Sequence, residues 1–262
     1  MKIVAINGSH RGVTGYTHYL LGLIEKGAKT GNAEFETIIL TNKKINICKG
    51  CRVCHTEKHY LECIYNDTDD VKEIFNTMKS ADIIIYATPI YIFSMSAMLK
   101  IFLERITSTA DSSIKTISNK GLFFHHITKE IASKPFLVIT TQDNIEDETN
   151  INVVRYFETF SKFMDAPLLG VINRKLGGLI KHGKDPDAET KYPITLTVNN
   201  AFINCGNQLA TKGLVDKKTL KQANLPLIKM PAIVEFLLKL NFIRNNKRIM
   251  AKVFDEAKKE MP

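Results

Sequence analysis

The chain has 262 residues, and its 36 Lys and Arg exceed its 27 Asp and Glu to give a net charge of +9. A hydrophobic fraction of 44% with 24% charged residues is ordinary for a globular protein. No apolar run reaches the length of a membrane span and no signal peptide is recognisable at the start, so we expect a cytoplasmic protein. Residues 216–262 hold eleven Lys and Arg against five Asp and Glu. This local excess, without any recognition module, does not favour a nucleic-acid partner.

The chain begins with an apolar strand, residues 2–6, followed by a loop rich in glycine and hydroxyl groups and a helical pattern over 16–29. When such a loop connects a strand to the N-terminus of a helix, its free backbone N–H groups point at an anion. Ser9, Thr14 and Thr17 can donate hydroxyl hydrogen bonds, and Arg11 adds charge. The loop matches neither the dinucleotide fingerprint nor the Walker motif. It predicts a phosphate-binding loop, with an ordinary turn between strand and helix as the alternative.

Four of the five cysteines fall within 16 residues: Cys48, Cys51, Cys54 and Cys63. In a cytoplasmic chain such a group binds metal or does redox chemistry more often than it forms disulfides. The C-x2-C-x2-C spacing suits a [4Fe–4S] cluster completed by a more distant cysteine. Zinc favours two separated pairs, although His55 and His59 stand nearby. Three alternatives therefore remain open, namely a cluster, unligated thiols in a structured loop, and zinc.

Strand-like and helical patterns alternate along the first 175 residues. After the first strand, apolar runs occur at 35–40, 82–87, 135–140 and 168–172, and helical periodicities at 69–79, 96–106 and 151–164. Asp69 and Asp70 are expected to begin the first of these helices. This alternation predicts a doubly wound, five-stranded parallel sheet. Ligands of such sheets bind beyond the carboxyl ends of the strands, where the strand order reverses.

The loop after the third strand, residues 88–96, has the composition of a ring-binding loop. Pro89 restricts its backbone, Tyr91 and Phe93 offer flat apolar surfaces, and Ser94 and Ser96 can cap the helix that follows. Such a loop can hold a planar aromatic ligand by its edge. Together with the first loop, it predicts a ligand that carries one phosphate and one large conjugated ring.

The remaining segments are less specific. Residues 108–133 form a long connection, which is typical of a lid or a subunit contact. It contains Phe123-Phe124-His125-His126, and we interpret the aromatic pair as a satellite core, with a flavin contact as the alternative. Helical periodicity resumes at 196–211, where Cys205 is expected in the core. From residue 225 onward we expect basic amphipathic helices that pack on the sheet or on a second subunit, with a helix at the membrane surface as the alternative. Their predicted apolar side comprises Ile233, Phe236, Leu237, Leu240 and Phe242.

Two motifs together resemble a known family: G-S-x-R-x-x-x-G-x-T at 8–17 and T-P-I-Y-x-x-S-M-S-x-x-L-K-x-F-L-E-R at 88–105. Their pairing resembles the NAD(P)H-dependent FMN reductase and iron–sulfur flavoprotein branch of the flavodoxin-like superfamily, over about residues 1–175. His10 and Tyr16 stand where that family usually has Pro and Asn. The resemblance implies a flavodoxin-like domain over 1–175, and the remaining residues, 176–262, are then a helical C-terminal extension.

The resemblance also implies which residues bind FMN and the cluster. The FMN phosphate would be surrounded by Ser9, Arg11, Tyr16 and Thr17. The isoalloxazine would be lined by Pro89, Ile90, Tyr91, Phe93, Ser94 and Met95. A third loop would contribute Thr141 and Gln142. In the resembling iron–sulfur flavoproteins, a compact cysteine motif at this place holds a [4Fe–4S] cluster that exchanges electrons with FMN.

The implied activity is that of an FMN-dependent oxidoreductase. NAD(P)H would serve as co-substrate, and the acceptor would be a free flavin, a quinone, a metal ion or the protein's own cluster. A homodimer or higher homo-oligomer is also implied. The chemistry belongs to the cofactor, so no catalytic side chain is expected. Two other classes remain as alternatives: a non-enzymatic electron carrier and a flavin-free scaffold.

Overall fold

The computed structural model describes residues 1–228, 240, 246, 248–249 and 251–252. The predicted apolar side of the tail falls outside these residues, except for Leu240. Within the described part, none of the helices combines the length and the apolar character that crossing a membrane requires.

A five-stranded parallel sheet forms the centre of the fold. The eight strands of the described residues are β1 (Lys2–Asn7), β2 (Glu34–Ile39), β3 (Ile83–Tyr91), β4 (Ser94–Met95), β5 (Ala110–Ile117), β6 (Phe123–Ile127), β7 (Phe136–Gln142) and β8 (Leu168–Lys175). The parallel strands follow the order β2-β1-β3-β7-β8, with β4 paired antiparallel to β3. This is the flavodoxin-like order, with its reversal between β1 and β3. The predicted doubly wound, five-stranded sheet is confirmed.

Helices cover both faces of this sheet. They are α1 (Tyr16–Thr30), α2 (Val71–Ser80), α3 (Ala97–Glu104), α4 (Lys129–Ala132), α5 (Ile151–Met164), α6 (Ala188–Lys191), α7 (Ile194–Lys212) and α8 (Lys217–Ala223). Because successive side chains of a strand point to opposite faces, Ile3 and Ala5 pack with α1 and α7, whereas Val4 and Ile6 pack with α2, α3 and α5.

The long helix α7 lies directly on α1. A Cβ atom on Gly27 would fall 1.8 Å from the Ile203 carbonyl oxygen, and one on Gly206 would fall 1.9 Å from the Ile24 carbonyl oxygen. The two backbones therefore touch at a pair of glycines. Cys205 is buried beside this crossing, and burial raises the pKa of its thiol to about 12. The expected core role of Cys205 is confirmed, whereas the division of the chain at residue 175 stays a prediction.

The long connection after α3 forms an antiparallel hairpin of β5 and β6. Phe124 packs edge-on against Phe163 of α5 at a centroid distance of 5.3 Å, while Phe123 is exposed. One residue of the aromatic pair thus belongs to a small satellite core, and the other faces outward.

Candidate cofactor and cysteine sites

The loop after β1 is folded by its own polar groups. The Ser9 amide donates to Asn7 Oδ1 at 2.9 Å, and the Arg11 amide donates to Ser9 Oγ at 3.3 Å. The helix α1 has no side-chain N-cap. Among the described residues, the backbone amides of Tyr16 and Thr17 have no acceptor. Free amides at a helix N-terminus attract an anion, so the loop fits a phosphate group.

The residues predicted to bind the phosphate differ in their burial and in the groups that an anion could contact. Ser9 and Thr17 are buried and Arg11 is exposed. The ring of Tyr16 stacks on Tyr19 at a centroid distance of 5.9 Å and is buried in the core on the α1 side of the sheet. Tyr16 can therefore serve an anion through its backbone amide, and its ring has a packing role.

The predicted ring-binding loop is a tight β-hairpin. Strand β3 continues to Tyr91, and β4 pairs back onto it across a two-residue turn formed by Ile92 and Phe93. Both turn residues have positive φ, +46° and +61°, a conformation that costs energy in a β-branched residue. Ile92 is 90% exposed, and Phe93 is also exposed. The hairpin differs from the predicted loop, and its turn sequence Ile-Phe lacks the Asn or Gly that is typical of such turns.

The three loops meet at the carboxyl edge of the sheet. The hydroxyl of Ser96 donates to the Gly8 carbonyl oxygen at 2.6 Å, which joins the first loop to the start of α3. A Cβ atom on Gly8 would fall 2.8 Å from the Leu99 Cβ atom, so this approach requires glycine. Thr17 Oγ1 lies 3.1 Å from Thr141 Oγ1, which joins α1 to the end of β7.

A cleft of about 440 Å³ opens between the hairpin, α3 and α5. This volume lies in the range of small-molecule sites. Its lining includes three predicted ring contacts and other polar or aromatic residues: Tyr91, Ser94, Met95, His10, Lys100, Asn152 and Tyr156. Pro89 and Ile90 are instead buried in β3, and Phe93 lies at the exposed turn.

The third predicted loop is anchored by its first residues. Thr141 and Gln142 are buried at the end of β7. The Gln142 amide nitrogen donates to the carbonyl oxygens of Asn144 and Glu146 at 3.0 and 2.8 Å. This side chain therefore shapes the loop that rises beside the first two.

Sequence reasoning missed one residue of this edge. His182, from the segment after β8, places its Nε2 atom 2.7 Å from Nη1 of Arg11. It is 171 positions away from Arg11 in the chain, and no local motif marks it. Only the return of the chain over the first loop brings the two side chains together.

The four clustered cysteines surround one small pocket of about 40 Å³: Cys48, Cys51, Cys54 and Cys63. All four are free thiols, and burial raises the pKa of Cys54, with the neighbouring Cys63 as a second cause. Among the described residues, no three His, Cys, Asp or Glu side chains are placed to hold one metal ion. Four thiols around one space match a cubane cluster in number and kind, because each iron takes a separate thiolate.

The pocket also contains the buried side chain of Arg105. Its guanidinium forms an ion pair with Asp69 and donates to the Asn46 carbonyl oxygen at 3.0 Å. The Tyr65 ring lies 5.3 Å from the guanidinium carbon. The expectation that Asp69 and Asp70 begin a helix is confirmed, because Asp70 is the N-cap of α2 and Asp69 Oδ1 accepts from the Val71 amide at 3.2 Å. Asp69 is also the counter-charge of Arg105.

Comparisons with known proteins agree with this geometry. The family model described as NADPH-dependent FMN reductase matches residues 1–142. The chain is 37% identical over 105 residues to an iron–sulfur flavoprotein of Methanocaldococcus jannaschii, covering 40% of this chain and 51% of that protein. It is 32% identical over 105 residues to an iron–sulfur flavoprotein of Methanosarcina thermophila, covering 40% and 52%. The chain thus matches only about half the length of these curated relatives.

Solved structures show the same fold. An FMN-dependent NADH-azoreductase from Bacillus anthracis, in complex with FMN, superimposes with a TM-score of 0.55 at 14% identity, over 80% of this chain and 99% of that chain. An NAD(P)H:quinone oxidoreductase from Methanothermobacter marburgensis gives a TM-score of 0.50 at 12% identity, over 81% and 98%. Because the family model covers more than half of the sequence, this chain belongs to the NADPH-dependent FMN reductase family.

Proposed function

We propose that this protein is an FMN-dependent oxidoreductase that takes electrons from NAD(P)H and passes them to a small-molecule or protein acceptor. One observation carries the proposal. The first loop, with its free helix amides, is joined to the second by the Ser96–Gly8 hydrogen bond and to the third by the Thr17–Thr141 contact. A phosphate group and a conjugated ring would therefore be bound at one edge of the sheet. Family membership supports the same reading.

The residues at this edge of the sheet would have two different roles in binding FMN. Ser9, Arg11 and the amides of Tyr16 and Thr17 would bind the phosphate, and the hairpin would contact the ring through Tyr91. When bound, FMN supplies the hydride and electron chemistry, and the protein supplies position and electrostatics. The exposed Ile92 and Phe93 at the hairpin tip support a homo-oligomer, because a partner would cover them.

In the test, flavin-free protein is titrated with FMN, and binding is measured by flavin fluorescence. Ser9→Ala is expected to raise the Kd for FMN about tenfold, because it removes a hydrogen bond to a charged group. Its Kd for riboflavin, which lacks the phosphate, should not change. Ser112→Ala, at an exposed position of β5, is the matched control. No saturable FMN binding by the wild-type protein would contradict the proposal.

An activity assay on the same preparation distinguishes an enzyme from an electron carrier. NADH and NADPH are each supplied with an artificial acceptor, and steady oxidation is expected with at least one of them. Binding of FMN without such oxidation would instead indicate an electron carrier that depends on a partner reductase. Light scattering gives the mass in solution, and a monomer would contradict the oligomer.

We further propose that the four clustered cysteines hold a [4Fe–4S] cluster, which would supply one-electron steps when bound. Their arrangement around one pocket supports this assignment. Anaerobically purified protein is expected to contain about four irons per chain with equivalent sulfide. Cys63→Ser should lower the iron content, whereas Cys205→Ala, in the core beside α1, should not. Failure to incorporate iron on anaerobic reconstitution would contradict the cluster and favour unligated thiols.

A further inference from the structure

The segment after β8 turns back over the phosphate-binding loop. The amide of Gly178 donates to Asp143 Oδ1 at 2.9 Å, which fixes the segment to the loop after β7. A Cβ atom on Gly177 would fall 2.2 Å from the ring of Tyr16, so the backbone lies directly on that ring. The His182 amide closes the turn by donating to the Gly177 carbonyl oxygen at 2.8 Å. These contacts fix the backbone of the segment over the phosphate-binding loop.

The same segment contains backbone strain. Leu176, Lys181 and His182 have φ values of +58°, +47° and +57°, in a region that residues other than glycine enter only at a cost. Such strain persists where the surrounding structure fixes the backbone, and it concentrates at ligand-binding positions. Here the strained turn places the imidazole of His182 beside Arg11.

The contact between Arg11 and His182 joins two groups that are normally donors. A guanidinium has no acceptor, so Nε2 of His182 must accept from Arg11 Nη1, and the imidazole must be neutral. Nδ1, which then carries the proton, is buried and has no partner among the described residues. Apart from Arg11, the charged groups that face the ring are Lys184 and Asp143, and the Tyr16 ring packs against it. Positive charge outweighs negative charge around the ring.

We propose that His182 belongs to the phosphate site and that, in its protonated form, it binds the FMN phosphate together with Arg11. This inference rests on the proposed function. A phosphate dianion provides an acceptor for both side chains, whereas without an anion only one of them can donate. The residue comes from outside residues 1–142, the part that the family model matches. It would make the segment after the sheet a part of the cofactor site.

The proposal couples FMN binding to uptake of a proton. In the free protein, burial lowers the pKa of His182, and the charge of Arg11 lowers it further. The negative charge of a bound phosphate raises that pKa. Between the free and bound pKa values of His182, binding takes up a proton, so affinity for FMN rises as the pH falls. Above about pH 6 the free phosphate is mostly a dianion, so its own titration does not hide the effect.

The experiment measures the Kd for FMN and for riboflavin between about pH 6.5 and about pH 8.5, a range where a histidine shifted upward by a phosphate would titrate. For the wild-type protein, the Kd for FMN is expected to fall with falling pH, by at most about tenfold per pH unit. His182→Gln should remove this dependence and raise the Kd for FMN about tenfold at the lower pH, through loss of a charge-assisted hydrogen bond. Its Kd for riboflavin should stay unchanged. His126→Gln, in β6, is the matched control.

Three results would overturn the inference. In the first, His182→Gln keeps the FMN affinity and pH dependence of the wild type, and the proposed function is unaffected. In the second, the variant loses affinity for FMN and riboflavin equally, which shows that His182 only supports the fold of the site. In the third, the wild-type protein does not bind FMN, which contradicts the proposed function itself.

Discussion

Replacement of Arg105 by methionine is expected to lower the free energy of unfolding by about 3–5 kcal/mol, the usual cost of leaving one member of a buried ion pair without its partner. Arg105 is only 1% exposed, and the side chain of Asp69 is fully buried. The carboxylate would keep the backbone amides of Asn46 and Val71 as donors, at 3.0 and 3.2 Å. These neutral donors do not replace the lost charge.

Denaturant unfolding of the variants measures this cost. Asp69→Asn should be destabilised as well, because the guanidinium then lacks a counter-charge. The double variant should lose less than the sum of the two single losses, since neither unpaired charge remains. Glu104→Gln, which breaks the exposed Lys100–Glu104 pair next to Arg105, should change stability by no more than about 1 kcal/mol. An equally small effect of Arg105→Met would show that the pair is unimportant.

The position of this ion pair explains its importance for the cysteine pocket. Asn46 and Asp69 lie before and after the segment that carries all four clustered cysteines. Arg105 contacts both of them from the end of α3. The guanidinium therefore fastens the two ends of the cysteine segment to the core of the domain. Within the segment, short helical turns and exposed side chains predominate, so few other buried contacts are present to do so.

The sheet could be predicted because its signal is local and strong. Buried parallel strands such as β1 and β7 are nearly continuous apolar runs, and helix α5 matches its predicted bounds, residues 151–164. Because the strand order of a flavodoxin-like sheet reverses between β1 and β3, the loops that follow these two strands are expected to meet. The Ser96–Gly8 hydrogen bond is the contact that joins these two loops.

Other parts of the site depend on contacts that no local pattern encodes. The turn at Ile92 and Phe93 uses residues that avoid positive φ, so no turn signal in the sequence marks the hairpin. Arg105 and Asp69 were recognisable only as the end of a motif and the start of a helix. The place of His182 follows from the path of the chain after β8, far from Arg11 in sequence. Tertiary packing decides all of these positions.

The packing of α7 on α1 leads to the second large expected effect. Gly27→Ala should destabilise the protein by about 3 kcal/mol or more, because overpacking of a tight contact forces backbones apart. The added Cβ would lie 1.8 Å from the Ile203 carbonyl oxygen and 3.0 Å from the Asn207 amide nitrogen. Both are backbone atoms of a helix, so a rotamer change cannot relieve the clash.

Gly22 provides a matched control on the same helix. No atom lies within 4 Å of a Cβ built there, so Gly22→Ala should gain about 0.5–1 kcal/mol from helix propensity alone. The same chemical change is thus expected to have opposite signs five residues apart, as measured by thermal or denaturant unfolding. Equal effects at the two positions would contradict the close crossing. Because α7 and the sheet share one core, opening this crossing should also weaken the fold around α1, whose first turn carries the free amides of the phosphate-binding loop.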